Sequence, residues 1–120
     1  SDRKYILYER FTIHTNRKIT ILMTAEQFSN ILGVDLLDKS REVRFTYARF
    51  AVYYYLRRRG WCLMRIADMF GYKSHSSIIN GLKQMETKLS INDDLAHGYW
   101  QKLLVADSAR IVELKLGMAV

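Results

Sequence analysis

The chain has no proline, only one cysteine (Cys62), and no apolar run near the ~18 residues of a membrane span. With no low-complexity tract or internal repeat either, nothing in it reads as a flexible linker. A lone cysteine excludes an intramolecular disulfide framework and fits a reducing compartment. No charged-then-apolar leader opens the sequence, so neither secretion nor membrane attachment is expected, and the protein is placed in the cytoplasm. Also missing is a Gly-x-x-x-x-Gly-Lys-Ser/Thr loop: none of the six glycines is followed by lysine, which excludes a P-loop ATPase. His14, His97 and Cys62 show no metal-ligand spacing, and the sequence calls for no cofactor.

What is present is an ordinary globular composition, 49% apolar and 26% charged over 120 residues, enough for one core and not for a core plus a catalytic domain. The net charge of +7 is uneven. Residues 1–38 and 74–120 each balance five basic against five acidic side chains, whereas residues 39–73 carry nine basic against Glu42 and Asp68 alone. The whole excess lies in one stretch, the footprint expected of a protein that meets a polyanion.

The apolar periodicity is helical from residue 24 on. Thr24 and Gln27 form a capping box before a helix with Phe28, Ile31 and Leu32 on one face and Gly33 as its stop. A basic loop, Asp38-Lys39-Ser40-Arg41-Glu42, precedes a helix from about Val43 to Arg59 whose stripe is Phe45, Ala48, Val52, Tyr55 and Leu56, with Gly60 ending it. Leu63, Ile66, Ala67 and Phe70 space a shorter helix stopped by Gly71. A fourth places Ile78, Leu82, Met85 and Leu89 inside, and Asn92-Asp93-Asp94 opens a fifth with Leu95, Tyr99, Leu103, Ala106 and Ile111 available to pack. The expectation is an all-α, helix-turn-helix bundle of about five helices over residues 24–120. Residues 1–23 form an N-terminal extension that suits either a short hairpin or a helix.

Two short helices joined by a glycine-containing turn, the second polar on its outer face, describe a helix-turn-helix. On a wheel of ~100° per residue, Ile78, Leu82, Met85 and Leu89 cluster within about 60°. The opposite arc carries Ser76, Asn80, Lys83, Gln84 and Thr87, with Ser77 at its edge and no acidic residue. Asn and Gln can pair with adenine in bidentate fashion, Ser and Thr serve either partner, and Lys suits guanine or phosphate. An ordinary solvated face is the alternative, although glutamates would be usual there.

The run Leu63-Met64-Arg65-Ile66-Ala67-Asp68-Met69-Phe70-Gly71-Tyr72-Lys73-Ser74-His75-Ser76-Ser77-Ile78 resembles the C-terminal, duplex-DNA-binding domain of the bacterial replication initiator DnaA. That family shows Ile-Gly-x-x-Phe-Gly, a short turn, then Arg-Asp-His-(Ser/Thr)-Thr-Val. Lys39 to Arg44, with Ala48 and Arg49, resembles its basic loop and the start of its long helix. The likeness spans roughly residues 25–92. It implies that the second helix enters the major groove of double-stranded DNA and that loop arginines lie near the minor groove. Lys73, Ser74, His75, Ser76 and Ser77 would then read bases or clamp phosphate, joined along the helix by Asn80 and Lys83. Lys39, Arg41, Arg44 and Arg49 would contact the backbone or minor groove. A nucleoid-associated role in replication initiation or its regulation follows from the same likeness.

Three departures matter. Ser74 stands where the family has an aspartate that could accept from cytosine. Ser77 lacks the methyl group a threonine could place on thymine. Gly81 replaces a small alanine at a cost of ~1 kcal/mol unless another element packs closely there.

Other readings stay open. The fold could serve a protein-interaction module, or the DNA-targeting domain of a larger DNA-processing enzyme. His75 with Ser76 or Ser77 lacks an acidic orienter, so hydrolysis is not expected and the protein is read as no enzyme. Phe50, Tyr53, Tyr54 and Tyr55 beside Arg57, Arg58 and Arg59 could stack single-stranded bases. A central helix packed on two faces is the simpler reading, with the N-terminal extension as the second cover. Those three arginines could serve the helix dipole or phosphate equally. The oligomeric state is open, a monomer being the simpler expectation.

Overall fold

The computed structural model describes residues 25–109, which form five helices and no strand. Helix α1 covers residues 25–32, α2 Val43–Arg58, α3 Leu63–Met69, α4 Ser76–Ser90 and α5 Asp94–Ser108. The bundle is all-α, as its periodicity requires. Thr24, expected as a cap, the 1–23 extension, His14 and Ile111 lie outside the described residues. Among the described residues, no helix is long and apolar enough to cross a membrane.

Local chemistry sets the helix ends. Gly33, Gly60 and Gly71 each take a positive φ (74°, 97° and 76°), the left-handed conformation that ends a helix without a Cβ clash. After α1, the N–H groups of Gly33 and Val34 both donate to the Ser29 carbonyl, at 2.7 and 3.2 Å. Asp93 caps α5, its carboxylate accepting the Ala96 N–H at 3.0 Å.

Helix α2 is the axis of the core. It buries Phe45, Ala48, Ala51, Val52, Tyr53, Tyr55 and Leu56, far more than one stripe, because neighbours cover it on several sides. Phe28 of α1 meets Tyr55 edge-on at 5.6 Å, and Phe70, after α3, meets Tyr53 at 4.9 Å. Trp100 of α5 meets Tyr54 at 5.0 Å, and the Tyr99 hydroxyl donates to the Arg44 carbonyl at 3.0 Å. Among the described residues α4 and α5 pack on the second face of α2, and the N-terminal extension expected to cover it lies outside them. Each buried large side chain contributes on the order of 1.5–3 kcal/mol, so this one helix supplies a large share of the hydrophobic stabilisation.

Gly81 explains how closely α4 approaches. A Cβ there would lie 2.5 Å from Tyr53 Cδ2 and 2.8 Å from Phe50 Cδ1, so the missing methyl group is the space those rings occupy. Further along α4, Lys88 lies over the Tyr47 ring, 5.5 Å from its centroid. Later residues of α4 thus meet earlier residues of α2, and the two helices run antiparallel.

Candidate nucleic-acid interface

Helices α3 and α4 are joined by residues 70–75, and that turn carries much of the predicted contact set. Ile78 and Met85 are buried and Leu82 and Leu89 pack against the core, which turns the other side of α4 outward. Ser76, Ser77, Asn80, Lys83, Gln84 and Thr87 are all exposed, and the first turn of α4 holds no acidic residue. The positive end of its dipole therefore has no acidic side chain of the first turn beside it.

The side chains entering α4 are locally ordered. Ser74 Oγ lies 3.2 Å from Ser76 Oγ and accepts the Ser76 N–H at 3.4 Å, standing in for a cap that His75 does not supply. His75 Nδ1 sits 3.3 Å from Met64 Sδ, which orients the ring from α3. Met64 was not among the predicted contact residues. Its exposure at the second position of α3 leaves no signature in spacing that would have marked it.

The basic loop lies against this turn. Lys39 Nζ donates to the Phe70 carbonyl at 3.1 Å and stands 4.8 Å from the centroid of the Tyr72 ring. The Tyr53 hydroxyl donates to that of Tyr72 at 3.1 Å. Burial, and then the Tyr72 hydroxyl beside it, push the Tyr53 phenol well above its ordinary pKa, so it stays protonated. Tyr72, whose hydroxyl and ring serve both contacts, was missed because its partners lie far away in sequence.

Arg49 differs from expectation. It is 8% exposed, and its guanidinium donates to the Asp38 carbonyl at 2.6 Å and the Ser40 carbonyl at 3.0 Å. A fork occupied by two main-chain oxygens is not offered to solvent, so Arg49 leaves the set of DNA-contact candidates. Arg41 and Lys73 are exposed, and their side chains make no hydrogen bond or ion pair among the described residues. Arg44 is exposed beside Glu42 at 4.0 Å and over the Phe45 ring at 4.5 Å. Among the described residues no hydrogen bond or ion pair joins the Arg41 or Arg44 side chain to the start of α4.

Three further residues singled out by sequence, His97, Arg57 and Arg59, have internal partners. His97 Nε2 lies 3.1 Å from the Leu89 carbonyl, a structural tie between α4 and α5. Arg57 donates to the Trp61 carbonyl at 3.0 Å, and Arg59 pairs with Asp107 at 2.8 Å. No family model matches this chain, and no curated protein and no solved structure shows a significant match to it.

Proposed function

We propose that the chain binds double-stranded DNA without catalysis, laying α4 in the major groove while the basic loop meets the adjacent backbone or minor groove. The observation that carries this reading is the exposed arc Ser76, Asn80, Lys83, Gln84 and Thr87 of α4, which holds no acidic residue, together with a basic loop that contacts the turn before α4 through Lys39 and Phe70. The concentrated charge supports it, as does the likeness of the turn to the initiator family. By that likeness the work is replication initiation or its control at the nucleoid, on a DNA site of its own because Ser74 and Ser77 depart from the family pattern.

Selection from a random duplex library tests the reading. His75→Ala and Ser77→Ala should each cost on the order of 1–3 kcal/mol on the selected site and change non-specific affinity little. Ser74→Asp should shift preference towards a cytosine in the contacted pair. Folded variants that keep wild-type affinity and preference would remove α4 from the interface. A second reading, a protein-interaction module, then leads. Its supporting observation is the exposed Leu104 and Val105 on α5, with Val105 at 65% exposure.

A further inference from the structure

We propose that Arg49 is a positioning residue that acts with Lys39 to fasten the basic loop to the α3–α4 turn, so that the two DNA-contacting parts form one preset unit. The inference rests on the DNA-binding reading and adds how the two contact surfaces are held in register. Two independent ties converge on residues 38–40. From α2, the Arg49 fork grips the carbonyls of Asp38 and Ser40. From the loop, Lys39 reaches across to the Phe70 carbonyl and the Tyr72 ring. Tyr53, on the same helix as Arg49, bonds to Tyr72 from the other side. The chain of contacts is therefore closed: loop to Arg49, along α2 to Tyr53, across to Tyr72, and back to the loop through Lys39.

The loop also orders itself within this frame. Asp38 Oδ1 accepts the Ser40 N–H at 2.8 Å, Ser40 Oγ accepts the Glu42 N–H at 3.1 Å, and the Thr46 hydroxyl donates to the Arg41 carbonyl at 3.4 Å. Arg41 is thus anchored on both sides while its guanidinium remains in solvent. A flexible loop must be ordered when it binds, at a cost that reduces affinity. A fastened loop has met that cost on folding, so Arg49 strengthens DNA binding without touching DNA, through Arg41. Lysine cannot replace it, because a single ammonium lacks the planar fork that spans two carbonyls.

Hydrogen exchange on the free protein and duplex affinity, measured on the same variants of the full chain, test the proposal. In Arg49→Lys the amides of residues 37–42 should exchange about tenfold faster while those of Ile78 to Met85 keep their protection. Affinity for a selected duplex should fall about tenfold in Arg49→Lys and in Arg41→Ala, and the double variant should bind no more weakly than the weaker single one. Fully multiplying losses would mean that Arg49 contributes independently of the loop, and would overturn the proposal. So would unchanged loop exchange in a folded Arg49→Lys. If that variant fails to fold, Lys39→Met loosens the same seam from the exposed side. Faster loop exchange in Lys39→Met sustains the fastening and unchanged exchange rejects it. If the wild-type protein binds no duplex at all, the function proposed above fails, and the exchange data still decide whether the loop is fastened.

Discussion

At the N-terminal end of α2, Arg41 and Arg44 are exposed, Arg44 sharing an exposed 4.0 Å pair with Glu42 and lying 4.5 Å from the centroid of the Phe45 ring. At the other end, cations of the same basic stretch are largely engaged. Arg57 holds the Trp61 carbonyl, Arg59 holds Asp107 of α5, Arg65 lies 4.6 Å from the centroid of the Trp61 ring and Arg58 lies 5.7 Å from that of Tyr54. Net charge treats these ends alike. A cation with an internal acceptor contributes to the fold, whereas one surrounded by water can release counterions when it meets phosphate. The charge excess is thus divided between cations with internal partners and cations left in solvent, Arg41 and Arg44 near the loop and Lys73 in the α3–α4 turn.

The most forceful way to break this comparison is to remove charge from each end separately. Arg41→Ala, Arg44→Ala and Lys73→Ala combined should flatten log K against log salt by about 2.7, at about 0.9 per phosphate contact. At about 0.15 M salt that is a loss on the order of hundredfold in affinity for any duplex. Arg57→Ala with Arg59→Ala should leave the slope unchanged and lower thermal stability instead. Equal slopes in the two variants, read by binding isotherms across a salt series, would erase the distinction between the ends.

The distinction also depends on α2 and α4 keeping their close, antiparallel seam. Helix propensity alone predicts that Gly81→Ala stabilises α4 by ~1 kcal/mol. The Cβ would meet Tyr53 at 2.5 Å, however, and Tyr53 is 1% exposed, with no free volume to turn into. Overpacking should win, for a net loss of about 1–3 kcal/mol and a fall of several degrees in Tm. A rise in Tm would mean that the rings yield and the two ends are not rigidly joined.

Releasing a partner sharpens the comparison further. Asp107 accepts from the Tyr55 hydroxyl at 2.6 Å and from Arg59 at 2.8 Å. Asp107→Ala should cost about 1–2 kcal/mol in chemical denaturation. It frees Arg59 in the process, yet the salt slope of DNA binding should stay put, because that end of α2 is not expected at the DNA. A steeper slope would place the released arginine within reach of phosphate.

Much of the helix layout was legible because its signals are local. The three glycine stops act through their own backbone, Asp93 through an N–H three residues on, and the stripes of α2 and α4 through helical spacing alone. What the sequence concealed is long-range, and much of it ends on main-chain carbonyls that every residue possesses. Arg49 was read as a surface cation because nothing in residue type reveals that carbonyls of Asp38 and Ser40 await it. Lys39 meets Phe70 through a main-chain oxygen, and Tyr53 meets Tyr72 across the core. The exposed half of the candidate interface, Ser76 to Lys83, was legible because it follows from helical spacing. The seam that holds it against the loop was not.

The smallest expected effect separates the ends by pH. Tyr53 belongs to the loop side through Tyr72, and Tyr55 to the other side through Asp107. Burial raises both phenols above the ordinary value near about 10, assisted by the Tyr72 hydroxyl in one case and the Asp107 carboxylate in the other. A raised folded pKa means that the native state keeps a proton the unfolded chain releases. The stabilisation is therefore fully present below about pH 10 and is lost as pH climbs from there towards the folded pKa. Over that interval each retained proton steepens the fall in stability by up to about 1.4 kcal/mol per pH unit. Tyr53→Phe removes one such proton and one hydroxyl bond, so it should cost only about 0.5–1.5 kcal/mol at neutral pH. Its deficit against wild type should then shrink as the pH rises above about 10. Tyr55→Phe should show the same narrowing, but only Tyr53→Phe should also speed amide exchange in residues 37–42, because only that hydroxyl lies in the network fastening the loop. Denaturation curves for both variants that run parallel to wild type from pH 8 to 11 would show that neither phenol holds its proton through the fold. Faster loop exchange in Tyr55→Phe would show that the two ends of α2 are not separate.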